Sequence, residues 1–247
     1  MIWNVLASPA QKSKPRIPRD VRIYAIGDIH GRADLLEALL KNIDASLEKF
    51  RIKHAIEVYL GDYIDRGPNS REVIETLITR KSERAMICLK GNHESYALQV
   101  LDDAAVLPEW KQFGGLNTLL SYEVKLATRD VPQKDQDVAA AFRDAFPASH
   151  REFIQGLTPS FMLGDYFFAH AGVRPGIPLN EQREQDLLWI REDFLLHEED
   201  FGKVIVHGHT PVLEPDLRPN RINIDTGAYA TGRLSCLVLQ DDRIAII

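Results

Sequence analysis

Short apolar runs alternate with longer amphipathic stretches along the first hundred residues, and each short run ends in glycine and polar side chains. The first run, Val21–Ile26, reads as a strand that stops at Gly27-Asp28-Ile29-His30-Gly31. Leu35, Leu36, Leu39, Leu40, Ile43 and Leu47 then recur at helical spacing, which predicts a helix with one buried stripe. Residues 55–60 give a second strand, ending in Gly61-Asp62-Tyr63-Ile64-Asp65-Arg66-Gly67. Pro68 and Asn69 open another helix, with Asn69 placed to cap it and Glu72 three residues on, as in a capping box. Val73, Ile74, Leu77 and Ile78 supply its apolar face. Residues 85–89 form a third strand before Gly91-Asn92-His93-Glu94. This alternation predicts parallel βαβ units with right-handed crossovers.

The pattern changes over residues 95–155, which are mostly helix-like, with a break at Gly114-Gly115 and a polar stretch around 128–137. This segment reads as a helical insertion over one side of the core; it is too polar and short for a domain with its own core. Strand-like runs then return. Residues 166–169 end in His170-Ala171-Gly172, 204–206 in His207-Gly208-His209-Thr210, and 222–224 in Asp225-Thr226-Gly227. Residues 234–239 and 243–247 close the chain as an antiparallel pair. The expected organisation is an N-terminal arm, 1–20, loosely held, and one domain, 21–247, carrying the insertion.

Composition narrows the class. With 45% hydrophobic and 27% charged residues, the 247-residue chain has the balance of an ordinary soluble protein. A net charge of −6 argues against a nucleic-acid surface, and any anionic substrate would need local positive charge. Cys88 and Cys236 lie in apolar runs without CxxC spacing, so buried reduced thiols are expected. The N-terminus puts its apolar patch before its charges, the wrong order for a signal peptide, and no run is long enough to span a membrane. A cytoplasmic location, with no membrane partner, is the expectation; the sequence does not specify an oligomeric state.

Polar residues just past the carboxyl ends of strands are where α/β folds carry chemistry. Six strand ends here carry Asp, His, Asn or Thr, usually with an adjacent glycine. Asp and His with one Asn suit borderline divalent ions such as Mn, Fe or Zn. One Asp can bridge two ions, which together activate water near neutral pH and clamp the oxygens of an in-line phosphoryl displacement.

In order, the blocks Gly27-Asp28-Ile29-His30-Gly31, Gly61-Asp62-Tyr63-Ile64-Asp65-Arg66-Gly67, Gly91-Asn92-His93-Glu94, His170-Ala171-Gly172 and Gly208-His209-Thr210 resemble those of the calcineurin-like metallophosphoesterases. More narrowly, they are similar to the phosphoprotein phosphatase family in its short bacterial and phage form. The resemblance implies an α/β sandwich: two mixed β-sheets packed together, flanked by helices and built from βαβαβ units. It implies two divalent ions, Mn first and Fe or Zn as alternatives. Asp28, His30 and Asp62 would hold the first; Asp62 would bridge to the second, completed by Asn92, His170 and His209. His207, two residues before His209, is the competing candidate because it would face the same way on a strand. His93 resembles the general acid, Asp65 the carboxylate that orients it, and Arg66 and Arg191 the phosphate-gripping arginines, with Asn92 also facing phosphate. Asp225 and Thr226 read as turn residues, His54, His150 and His197 as solvated, and Glu94 as a residue favoured by the helix N-terminus.

The Asp65-Arg66-Gly67 triplet resembles the form carried by protein phosphatases, whereas the symmetrical dinucleoside tetraphosphate hydrolases usually lack that Asp. The expected activity is therefore hydrolysis of phosphoserine and phosphothreonine in proteins, with a small phosphoester as the other substrate form. Diadenosine tetraphosphate hydrolysis is the alternative, and an inactive phosphopeptide-binding module a remote third.

Overall fold

A computed structural model describes residues 14–50, 52–126 and 133–247. The strands β1 (Val21–Ile26), β2 (His54–Tyr59) and β3 (Met86–Cys88) are linked through helices α1 (Ala33–Phe50) and α2 (Ser70–Glu83). β1 pairs parallel with β2, and β2 parallel with β3, as the alternating pattern requires. Helix α3 (Asn92–Asp102) follows, then a run of short helices: α4 (Leu107–Trp110), α5 (Leu116–Ser121), α6 (Asp135–Ala145) and α7 (Ala148–Gln155). A second sheet holds β4 (Ser160–Leu163), β5 (Tyr166–Ala169), β6 (Val204–His207), β7 (Asp216–Leu217) and β8 (Arg221–Asn223). Between β5 and β6 lie α8 (Glu184–Trp189) and α9 (Glu192–Leu195); α10 (Ala228–Thr231) leads to β9 (Cys236–Gln240) and β10 (Arg243–Ile246).

The sheets run β10-β9-β1-β2-β3 and β4-β5-β6-β8-β7, both mixed. Alternation along β1 divides its side chains between two layers. Ile23 and Ala25 join Val58, Leu60, Phe168, Val206 and Ile224 in the core between the sheets. Tyr24 and Ile26 point the other way, into the core shared with α1, α2, α3 and the short helices. Phe167, Ala169 and Ile205 pack on the far side against Leu187, Ile190 and Phe194. The order of layers is helices, sheet, sheet, helices, the expected α/β sandwich. Leu119, Tyr122, Phe142 and Ile154 of the 95–155 segment sit in the same apolar cluster as β1 and β2.

Three local expectations need correction. The arm expected over 1–20 is not loose at its inner end: Ile17 is buried between the sheets, and its amide donates to the Asp241 carbonyl. Residues 1–13 of that arm, and 127–132 of the polar stretch, lie outside the described residues. Asn69 occupies the N-cap of α2, but its side chain makes no capping bond; its φ and ψ of −120° and 43° are not those of the usual cap. His150 is buried rather than solvated, because its Nδ1 lies 2.8 Å from the Tyr122 hydroxyl, inside an aromatic group with Phe146. Glu94 does start a helix, but its carboxylate has a further use, described below. Cys88 and Cys236 are buried free thiols, as expected, and burial pushes the Cys88 thiol up to about 12.

Candidate dinuclear metal centre

The parallel strands of both sheets end on the same edge of the sandwich. The turn after β1 carries Asp28 and His30, that after β2 carries Asp62 to Arg66, and that after β3 carries Asn92 and His93. From the second sheet, His170 follows β5, His209 follows β6 and Asp225 follows β8. Apart from the half-buried Arg66, the polar side chains among these are buried. Burying so many polar groups is costly unless something pairs them.

The backbone is strained at the same place. His30, Asp62, Asp65, Arg66 and His209 all have φ between 46° and 72°, in the left-handed region that non-glycine residues rarely occupy. Such conformations cost about 1–3 kcal/mol each and persist only where the surroundings enforce them. Glu94 is one such enforcer. Its buried carboxylate accepts from the amides of Asp62 (3.0 Å), Tyr63 (2.8 Å) and Gly91 (3.0 Å), clamping the turn after β2 onto the start of α3. Gly91 has to be glycine, since a Cβ there would lie 2.1 Å from Asp62 Oδ1.

Two clusters of ligand-type atoms meet at Asp62. His30, Asp62 and His93 form one; Asp62, His170 and His209 form the other. Asp62 Oδ2 lies 3.5 Å from His30 Nε2 and 3.4 Å from His170 Nε2, so one carboxylate faces both sides. His170 Nδ1 donates to the Leu60 carbonyl and His30 Nδ1 to the Ile64 carbonyl, each at 2.9 Å. Those bonds leave each Nε2 with its lone pair turned inward, the usual outer support of a metal-binding imidazole. Asn92 Oδ1, His170 Nε2 and His209 Nδ1 all lie within 3.1 Å of one another. Burial holds His30 and His170 below the ordinary imidazole range and pushes His209 down to about 2, which favours the neutral form that ligates a metal. Convergent lone pairs of Asp, Asn and neutral His fit divalent ions of the Mn, Fe or Zn kind.

His209 rather than His207 joins this group. His207 is also buried, but its ring packs edge-on to Phe194 and its Nδ1 lies by the Gly208 carbonyl, 3.1 Å away. Asp28 belongs to neither three-residue cluster. Its carboxylate lies against Gly208 and takes a bond from the His209 amide at 3.0 Å; burial, then Asp225 and Asp62, raise it well above the carboxylate range.

His93 Nδ1 donates to Asp65 Oδ2 at 2.6 Å, and its Nε2 points to the Asp62 side of the site. Burial pulls the His93 imidazolium down, but Asp62 and the hydrogen-bonded Asp65 outweigh it and raise its pKa. Asp65 is held in turn by Trp110 Nε1 (2.7 Å) and the Thr118 hydroxyl (2.5 Å). Arg66 spans the first cluster: Nη1 donates to His30 Nε2 at 2.8 Å, and Nη2 lies 3.2 Å from His93 Nε2. Arg191, exposed at the start of α9, reaches the Thr210 hydroxyl at 3.4 Å and adds positive charge beside His170 and His209. Every candidate residue is thus on one edge of the sandwich. Glu94, Trp110, Thr118 and Asp225 were not singled out for this site by the sequence. Of these, only Glu94 and Asp225 carried a signal, each standing in a strand-end block.

Comparison with known proteins agrees with this geometry. Residues 21–245 match the family described as calcineurin-like phosphoesterase. The chain is similar to an asymmetrical bis(5'-nucleosyl)-tetraphosphatase PrpE of Anoxybacillus flavithermus, 26% identical, covering 86% of this chain and 88% of that one. It is also similar to serine/threonine-protein phosphatase 2 of Escherichia coli, 28% identical over 86% of this chain and 90% of that one. Among solved structures, a protein serine/threonine phosphatase from Saccharomyces cerevisiae shares the fold, with a TM-score of 0.57 and 16% identity over 92% of this chain and 79% of that one.

Proposed function

The chain belongs to the calcineurin-like phosphoesterase family, and from that premise we propose that it is a two-metal phosphomonoesterase acting on phosphoserine and phosphothreonine in proteins. Asp28, His30 and Asp62 would hold one ion, and Asp62, Asn92, His170 and His209 the other, Mn being the first choice and Fe or Zn the alternatives. When bound, the ions supply a nucleophile at neutral pH and offset phosphate charge.

The observation that carries the substrate class is the His93–Asp65 pair. Serine and threonine phosphates expel a strongly basic alkoxide, so breaking that bond demands a proton from the protein. A pyrophosphate bond expels a far less basic phosphate and needs little such help. An imidazole whose pKa is raised by Asp62 and Asp65, itself fixed by two further hydrogen bonds, suits the first task. Arg66 and Arg191 would grip the phosphate oxygens with their planar forks, and Asn92 would face the same phosphate.

A second reading, dinucleoside tetraphosphate hydrolysis, has support of its own. The Tyr229 ring, 39% exposed, sits 5.4 Å from the His30 ring and 4.8 Å from the Arg66 guanidinium. Phe113, 40% exposed, stacks on Tyr96, which contacts Trp189 beside His209. Rings on both sides of a phosphate site could stack bases, and PrpE is named for such a substrate. Mn-loaded protein assayed on phosphoserine and phosphothreonine peptides and on diadenosine tetraphosphate separates the two. The first reading expects a higher kcat/KM on at least one peptide; turnover of the dinucleotide far above every peptide would replace it with the second.

A further inference from the structure

Two buried carboxylates meet where β1 and β8 end. Asp28 is 2% exposed and Asp225 1%. Each has one oxygen fixed by a backbone amide: Asp28 Oδ2 accepts from His209, 3.0 Å, and Asp225 Oδ1 from Gly227, 2.9 Å. The other two, Asp28 Oδ1 and Asp225 Oδ2, are buried with no hydrogen-bond partner among the described residues. Gly208 lies against both; a Cβ there would fall 2.0 Å from Asp28 Oδ1 and 3.5 Å from Asp225 Cβ.

The arrangement is held in place on every side. The Asp225 amide donates to the Asn223 side chain at 3.0 Å, and its carbonyl accepts from Val212 at 2.9 Å. Two ionised carboxylates cannot share a dry site without a compensating cation. No arginine or lysine makes an ion pair with either, among the described residues. The donor count points the same way. The second ion has four candidate residues, whereas the first, with His93 kept as the acid, has Asp28, His30 and Asp62.

We propose that Asp225 is a fourth residue of the first metal's site, its Oδ2 facing the ion beside Asp28 Oδ1. This rests on the dinuclear reading. It gives the Asp225-Thr226-Gly227 block a chemical reason, where turn formation would need only the Gly227 contact.

The test is metal binding, read without activity. Asp225→Asn keeps an acceptor for the Gly227 amide and removes the charge. Equilibrium dialysis against graded Mn, followed by elemental analysis, should find two ions in the wild type. The variant should keep one at wild-type affinity and bind the other at least about tenfold more weakly, the scale seen when a metal-site partner is lost. Wild-type affinity for both ions in Asp225→Asn would overturn the proposal, and would mean that the pair shares a proton instead. Fewer than two ions in the wild type would fail the dinuclear reading itself. Asp225→Cys gives an independent readout should the Asn variant misfold. With Cd²⁺, a thiolate ligand at this position produces a charge-transfer absorption that the wild type lacks, since thiolate is a favoured soft ligand. A folded Asp225→Cys protein that binds Cd²⁺ without that band would equally overturn it.

Discussion

At the scale of single residues, the site works by fixing which atom carries a proton. His30 and His170 give theirs to backbone carbonyls, and His93 gives its Nδ1 proton to Asp65, so each exposes Nε2 inward. The pKa of His93 is raised above its ordinary 6.5, so its acid form persists below that raised value and is lost as pH rises through it. Turnover of an alkyl phosphate should therefore fall on the alkaline side. His93→Asn should remove that fall and lower kcat by about 10²–10⁴-fold with metal content unchanged. A loss of under about tenfold, measured on a substrate with a poor leaving group, would remove His93 from the role of acid. These inward-facing residues were legible in the sequence because each sits within two residues of a glycine, just past the end of an apolar run. Asp225 sat in such a block too, but an Asp before Thr-Gly is equally what a turn uses. Only its buried, unpartnered oxygen separates the two readings.

At the scale of elements, helix α2 has to be held firmly, because the turn from Asp62 to Arg66 feeds directly into it. Arg80 does much of this. Its Nη2 donates to Glu57 Oε1 on β2 at 2.6 Å, and its Nη1 to Asp44 Oδ2 on α1 at 2.8 Å. The Tyr59 hydroxyl adds a bond to Glu57 at 2.7 Å. Glu57 is 2% exposed, so Arg80→Leu would leave a buried charge without its partner. Unfolding by urea should show a loss of about 3–5 kcal/mol, and a loss below about 1 kcal/mol would mean that the pair is dispensable. Helices α1 and α2 were legible from periodicity, since each buries a continuous face, and the parallel strands from short apolar runs that end in polar blocks; the short helices α8, α9 and α10 were not. The short antiparallel strands β4 and β7 were not, being too brief to show a pattern. Nor was the support of Asp65 by Trp110 and Thr118, which stand 45 and 53 residues further along the chain. Their side chains are also those of ordinary core and helix positions, so the 95–155 helices read as cover rather than as part of the acid's support.

At the scale of the whole molecule, two sheets deliver their carboxyl ends to one edge, and chain positions from Asp28 to Asp225 meet there. The acidic balance of −6 is compatible with an anionic substrate because Arg66 and Arg191 lie at this edge and two divalent ions would join them. No helix among the described residues is long and apolar enough to cross a membrane. Asp62 is the hinge of the account, since it faces both clusters, and the most direct test is the metal content of wild type and Asp62→Asn after saturation with Mn. Two ions per wild-type chain and fewer than two in the variant, with the fold intact by circular dichroism, is the expected result. One ion or none in the wild type, or two retained in Asp62→Asn, would contradict a centre bridged by this residue.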